Sequence, residues 1–236
     1  MQRVHCEWGL AGVQALRERV AVMVIVDVLS FSTAVDVAMH RQARIHPFPY
    51  GDDEAARAEA ARLGVRLAAS RKAGGQLSLS PASLMKLNPG ERLLLPSPNG
   101  SRLSLACGGA AVLAGCLRNA KAVASKALAL AEGADIAVIP AGERWPDDSL
   151  RPAIEDLLGA GAIIAALKLN GEPEAEVARD AFLSAELHLA QTLRGCRSGL
   201  ELIGREHAMD VEIACELNVS HCAPMLRNGA YENAAA

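Results

Sequence analysis

Residues 21–29, AVMVIVDVL, followed by Ser30-Phe31-Ser32-Thr33, are the stretch on which the fold is decided. The run is apolar and β-branched throughout, broken by one acid, Asp27. A strand with one wet face would alternate apolar and polar residues. This one does not, so it reads as a strand buried on both faces, as in a parallel sheet. The segment 34–40 has helical character, which puts Asp27 at the C-terminal end of a strand, just before a Ser/Thr-rich turn into a helix.

Outward from there the alternation repeats. Residues 45–49 read as a short strand. Residues 54–63 read as a helix with an acidic start and Gly64 beyond its end. Residues 74–81 read as a loop and 92–95 as a strand. The hexapeptide 96–101, PSPNGS, carries two prolines and an Asn-Gly turn pair and is expected to be irregular. Residues 102–106 start a helix, 111–116 form a buried strand, 120–132 a helix of good formers and 135–140 a strand. Asp148 or Ser149 is expected to cap a helix over 154–169, with Pro152 in its first turn. Residues 173–193 read as one long helix, and the Gly/Asn/Ala-rich end from Asn228 as frayed. Strands alternating with helices define an α/β class with largely parallel pairing. In such folds ligands sit beyond the carboxyl ends of the strands, where three polar loops fall: 27–33, 97–101 and 141–144.

The chain has 236 residues, 51% of them hydrophobic, which suits one large domain or two small lobes with a sizeable core. A net charge of −3, spread along the chain, gives no basic footprint for nucleic acid, and 3% aromatics give no base-stacking platform. The longest apolar stretches, 21–29 and 157–167, are about half of the ~20 residues a bilayer span needs, so no membrane partner is expected. The start, MQRVHCEW, has an early acid and no apolar core and does not read as a secretion signal. Six cysteines without a CxxC pair are expected to be reduced thiols in a cytoplasmic protein, with no structural zinc. The six histidines show no HExxH spacing. The GxxxxGK[ST], GxSxG and DxDx[TV] signatures are absent, as is the CxxxxxR loop that would make Cys215 a phosphatase nucleophile.

Several residues carry candidate chemistry. A carboxylate in a buried strand is costly unless it is paired or binds a metal, so Asp27 is either a metal ligand or acid/base, or a cap on the next helix. Ser97-Pro98-Asn99-Gly100-Ser101 is rigid and rich in small donors that could cradle a phosphate; the plainer reading is a tight turn. Glu155-Asp156 lies in an otherwise apolar helix and offers hard oxygens for Mg²⁺; alternatively both acids are solvated near a helix N-terminus. They point about 100° apart, so one at most is expected to face the core. Gly159, one turn on, would let another segment approach closely. Arg118 could grip an anion bidentately, or be a surface arginine. Glu143 is an acid/base or simply solvated.

Taken in order, VIVDVLSFSTAV at 24–35, SPNGSRL at 97–103, CLRNAKAVA at 116–124, IPAGER at 139–144, AIEDLLGAGAI at 153–163 and SGLELIGREHAMDVEIAC at 198–215 resemble the 2-phosphosulfolactate phosphatases of coenzyme M biosynthesis. The resemblance covers most of the chain, read as a single family domain over 1–236. It implies α/β/α layers with mixed, largely parallel sheets in two lobes, here divided near 120–135. It also implies a Mg²⁺-dependent phosphatase acting on a small anionic phosphorylated substrate. The positions carried over are Asp27, Asn99, Asn119, Glu155, Asp156 and Asp210. On this reading Asp27 and Glu155 or Asp156 hold the metal. Ser32, Thr33, Ser97, Gly100, Ser101, Arg118 and Asn119 bind the substrate and its phosphate, and Asp27, Asn99, Glu143 and Asp210 form the catalytic set. Two positions depart from the family pattern. Ser30 stands where the motif DVLRAST has arginine, and Ser70 stands where a GERGG-like loop has glutamate; Arg71 or Lys72 is the candidate for the missing charge. The alternatives are a Mg²⁺-dependent hydrolase or lyase on another small phosphorylated acid, and a non-catalytic small-anion-binding protein on the same scaffold. A C₂ homodimer is the base-rate expectation.

Overall fold

In the computed structural model, residues 2–71 and 76–234 are described. Strand β1 (Arg3–Cys6) and helix α1 (Gly9–Leu16) precede β2 (Val22–Val26), which is buried along its whole length. α2 (Phe31–His40), β3 (Arg44–Pro49), α3 (Asp53–Leu63), β4 (Arg66–Leu67) and α4 (Pro81–Leu84) follow. Then come β5 (Arg92–Ser97), α5 (Gly100–Ala106), β6 (Ala111–Gly115), α6 (Ala120–Ala131) and β7 (Ile136–Pro140). A small hairpin of β8 (Glu143–Arg144) and β9 (Leu150–Arg151) leads into α7 (Ile154–Leu167), β10 (Asn170–Gly171) and α8 (Pro173–Ala185). α9 (Leu189–Gly195), α10 (Arg197–Gly204), α11 (Ala208–Cys215), β11 (Pro224–Arg227) and β12 (Ala230–Asn233) come after them.

One ten-stranded sheet takes the order β10-β1-β7-β2-β6-β11-β12-β3-β5-β4. The five strands from β10 to β6 pair parallel, as do β3, β5 and β4. The β11–β12 hairpin lies between these blocks and pairs antiparallel with β6 on one side and β3 on the other. Segment 120–135 is α6 with its exit turn, and β7 beyond it inserts between β1 and β2.

β2 shows why its sequence lacks alternation. Val22, Val24 and Val26 pack with Val123 of α6, Ile163 of α7 and Phe182 of α8, while Met23 and Ile25 pack with Val13 of α1, Val35 of α2 and Leu103 of α5. Both faces are covered, so the expected α/β/α layering and largely parallel pairing are what the chain adopts. Among the described residues no helix is long and apolar enough to cross a membrane.

Four expectations are corrected. First, PSPNGS is not irregular throughout: Pro96 and Ser97 stay in register with Phe48 and Pro49, and α5 begins at Gly100. Leu94 turns its carbonyl toward the β4 side, where Ala68 N–H donates to it (2.9 Å). Pro96 faces the same way but lies past the end of β4, which pairs only as far as Leu94, so its missing donor breaks no ladder. Second, neither Asp148 nor Ser149 caps α7. Both lie in the β8–β9 turn, Asp148 with a φ of 65°, and the residue before α7 is Ala153. Third, the long helix is broken by a 3₁₀ turn at Glu186–His188, which leaves Leu187 in solvent and returns Leu189 and Leu193 to the core. Fourth, the C-terminal segment is not frayed over its described residues: Asn228 and Gly229 take φ of 49° and 79°, a two-residue hairpin turn that sends β12 into the middle of the sheet.

Candidate active site

Asp27 lies one residue past the end of β2 and is buried. Its Oδ1 accepts a hydrogen bond from Phe31 N–H (3.1 Å) and its Oδ2 from Gly100 N–H (2.9 Å). One carboxylate thus satisfies a free donor in the first turn of both α2 and α5. Gly100 must be glycine for this approach, since a Cβ there would sit 2.2 Å from the Phe31 ring. The hydroxyls of the two loops donate inward: Ser32 Oγ to Ile25 C=O (2.9 Å), Thr33 Oγ1 to Val28 C=O (2.7 Å) and Ser101 Oγ to Leu95 C=O (3.0 Å). They tie the loops to their strands and direct no proton outward. Ser97 differs: its hydroxyl is fully buried and has no partner among the described residues.

Three more acids close on Asp27. Asp156 accepts from Val28 N–H through Oδ1 (2.7 Å) and from Gly142 N–H through Oδ2 (2.8 Å), strapping the loop after β7 to the end of β2. Gly159 permits this, because a Cβ there would lie 2.6 Å from Val28 Cγ2. The expectation that at most one of the adjacent acids is buried fails. Glu155 is buried as well, against the Cys196 thiol at the start of α10 and close enough for its charge to act on Asp27 and Glu143. Glu143 accepts from Asn99 Nδ2 (2.9 Å). Burial raises the Asp27 carboxyl, opposed by its backbone hydrogen bonds and reinforced by Glu155. Burial, then the charges of Asp27 and Glu155, push Asp156 well above the carboxylate range. Burial and then Asp27 push Glu143 up to about 7. Asn99 and Glu143 line a cavity of about 260 Å³ walled by Trp8, Arg102, Arg144 and Leu150.

Asp210 and Arg71 adjoin this cluster. Asp210 Oδ1 accepts from Ser80 Oγ (2.6 Å) and Ala82 N–H (3.1 Å), and its Oδ2 lies 3.4 Å from Arg71 Nη2. Arg71 Nη2 donates to Ser30 Oγ (2.6 Å) and Leu79 C=O (3.1 Å). The arginine's charge is felt at Asp27, and it in turn feels Asp27 and Glu143. Lys72 and Gly74 lie outside the described residues.

Arg118 and Asn119, just past the end of the neighbouring strand β6, spend their side chains on other partners. Arg118 Nε donates to Asp36 Oδ2 (2.9 Å), while its Nη1 donates to Ile213 C=O (3.4 Å) and pairs with Glu216. Asn119 uses both ends of its amide on its own loop, accepting from Cys116 N–H (2.8 Å) and donating to Ala114 C=O (3.3 Å). Cys215 is half-buried, and burial pushes its thiol up to about 11, far from a thiolate nucleophile. The sequence reading missed Asp36, an acid in mid-helix with nothing local to mark it, and Gly142. The signal for Gly142 was a glycine two residues past the end of a strand, and it takes a φ of 68°.

The donor set suits a hard cation. Asp27 keeps a lone pair on each oxygen after accepting one N–H apiece, and mutual repulsion among the acids is relieved by positive charge. Among the described residues no three acidic, His or Cys side chains converge into a ready cage. An ion bound here would be held by one or two of these carboxylates, with the rest of its coordination filled from outside the chain.

The family model described as 2-phosphosulpholactate phosphatase matches residues 12–229. A 2-phosphosulfolactate phosphatase of Methanothermobacter thermautotrophicus is 32% identical over 214 residues, covering 89% of this chain and 88% of the relative. A probable 2-phosphosulfolactate phosphatase of Carboxydothermus hydrogenoformans is 30% identical over 211 residues, 86% of this chain and 84% of the relative.

Proposed function

The chain belongs to the 2-phosphosulfolactate phosphatase family, and from that premise we propose that it is a Mg²⁺-dependent phosphatase cleaving the phosphomonoester of 2-phosphosulfolactate or a similar small phosphorylated hydroxy acid. The observation that carries the reading is Glu143: half-buried, held by Asn99, facing a cavity, with its proton balanced near neutral pH. General acid/base catalysis works best at that balance.

Asp27 and Glu155 are the residues that would hold Mg²⁺, which when bound offsets charge on the phosphoryl oxygens. Asp156 keeps the end of β2 and the β7 loop together through Val28 and Gly142, fixing Asp27 against Glu143. Asn99 holds the Glu143 carboxyl in one orientation. Glu143 takes a proton from the attacking water and returns it to the leaving oxygen. Water adds across the P–O bond, and the products are the hydroxy acid and inorganic phosphate. The first test is phosphate release from 2-phosphosulfolactate and phospholactate, with Mg²⁺ and with chelator. Release that needs the metal supports the reading, and no release from either compound in a folded sample overturns it.

A further inference from the structure

We propose that Arg71, oriented by Asp210, receives the second anionic group of the substrate, the carboxylate or sulfonate on the carbon skeleton that bears the phosphate. The inference rests on the phosphatase reading above and adds a specificity-determining residue to it.

The other arginines near the strand ends are occupied or peripheral. Arg118 is saturated by Asp36, Glu216 and a carbonyl. Arg151 donates to Ser198 Oγ (3.1 Å) and lies over the Trp145 ring, and Arg144 pairs with Asp148. Arg102 is exposed on the cavity wall. Arg71 is neither saturated nor peripheral. Its side chain is only 22% exposed, its Nε is buried without a partner among the described residues, and its carboxylate neighbour Asp210 stands off at 3.4 Å instead of closing a two-pronged pair. A buried guanidinium with an unspent donor is costly, and an anion approaching that donor removes the cost. Arg71 is also close enough to Asp27 and Glu143 for their charges to act on it. A small acid has its phosphate and second anion a few bonds apart, so the cation for one must lie beside the machinery for the other. Asp210 is a positioning residue: Ser80 and Ala82 fix one of its oxygens, and the other faces Arg71.

The experiment compares wild type, Arg71→Ala, Arg71→Lys and Asp210→Asn, each checked for folding by thermal melting. Turnover is measured on 2-phosphosulfolactate, phospholactate and an alkyl phosphate with no second anion. Losing a charge-assisted, forked contact is expected to cost at least about tenfold. Arg71→Ala should raise KM for the anion-bearing substrates by that factor with a smaller change in kcat. Their advantage in kcat/KM over the plain ester should fall in proportion. Arg71→Lys should fall between, and Asp210→Asn should give a weaker version of the same KM effect. A larger loss on the sulfonate than on the carboxylate compound, or the reverse, identifies the group Arg71 holds. Calorimetric binding of sulfolactate with Mg²⁺ present supplies a readout independent of turnover. If wild type binds sulfolactate through Arg71 but hydrolyses nothing, the phosphatase reading falls and the Arg71 subsite stands. If wild type hydrolyses and Arg71→Ala leaves the substrate preference and sulfolactate affinity unchanged, the subsite falls and the phosphatase reading stands.

Discussion

Asp27 and Asp36 flank the first half of α2. Both are buried, and burial pushes both above the usual carboxylate range. Their surroundings differ in kind. Asp36 accepts from Ser220 Oγ (2.6 Å) and from Arg118 Nε (2.9 Å), so a hydroxyl and a cation fill its two oxygens. Asp27 accepts only backbone N–H groups, and its neighbours include further acids. Burial of an acid is therefore not by itself the mark of a reactive site. A carboxylate facing a cation is braced; a carboxylate crowded by carboxylates is held ready for a positive charge that the chain does not fully supply.

The comparison can be broken most directly at Asp27. Asp27→Asn is expected to lower kcat by on the order of 10³ or more, while costing stability only about 1–2 kcal/mol for a backbone donor left facing an amide. Removing its charge should also shift the acid limb of the residual pH–rate profile downward, because Asp27 helps to hold Glu143 up. Asp36→Asn should do the opposite. Leaving Arg118 without its buried partner is expected to cost roughly 3–5 kcal/mol in urea unfolding, with turnover per folded molecule within about twofold. A folded but inactive Asp36→Asn enzyme would remove the distinction between the two acids.

Glu143 sharpens it next. Its folded-state value, about 7, lies above its ordinary 4.5, so the fold favours the protonated form. In metal-free protein that preference is fully present below about 4.5 and is lost as pH rises through about 7, a change of roughly 3 kcal/mol by linkage. Stability measured across that window should decline in wild type and decline less steeply in Glu143→Gln, the rest of the slope belonging to the other raised acids Asp27, Asp36 and Asp156. The smallest effect is expected at Cys215: Cys215→Ser should leave turnover within about twofold and stability within about 0.5 kcal/mol.

What was legible in the sequence follows from range. β2 was readable because a strand covered on both faces writes its burial into consecutive residues, and Asp27 stood out as the single interruption. α3 was readable because its acidic start and Gly64 sit beside it, and the structure gives Gly64 a φ of 62°. Arg118 looked like an anion grip because a cation at a strand end is a local fact, while its partners Asp36 and Glu216 come from distant segments. Glu143 was found but left undecided, since its burial and its contact with Asn99 arise only when the ends of β5 and β7 meet. β12 was readable and was misjudged. By composition, the segment from Asn228 looks like a loose end. As turn chemistry, Asn228-Gly229 between short apolar segments is a hairpin.

That hairpin also sets an order of events. β11 and β12 come after every other strand in the chain, yet they fill the gap between the two parallel blocks. Until they arrive, β6 and β3 each present a bare edge, and a bare edge is a template for pairing with another chain. Synthesis delivers the earlier segments first, so these two edges stay open longest on the ribosome. A nascent chain halted just short of Pro224 would carry both blocks complete with no strand between them.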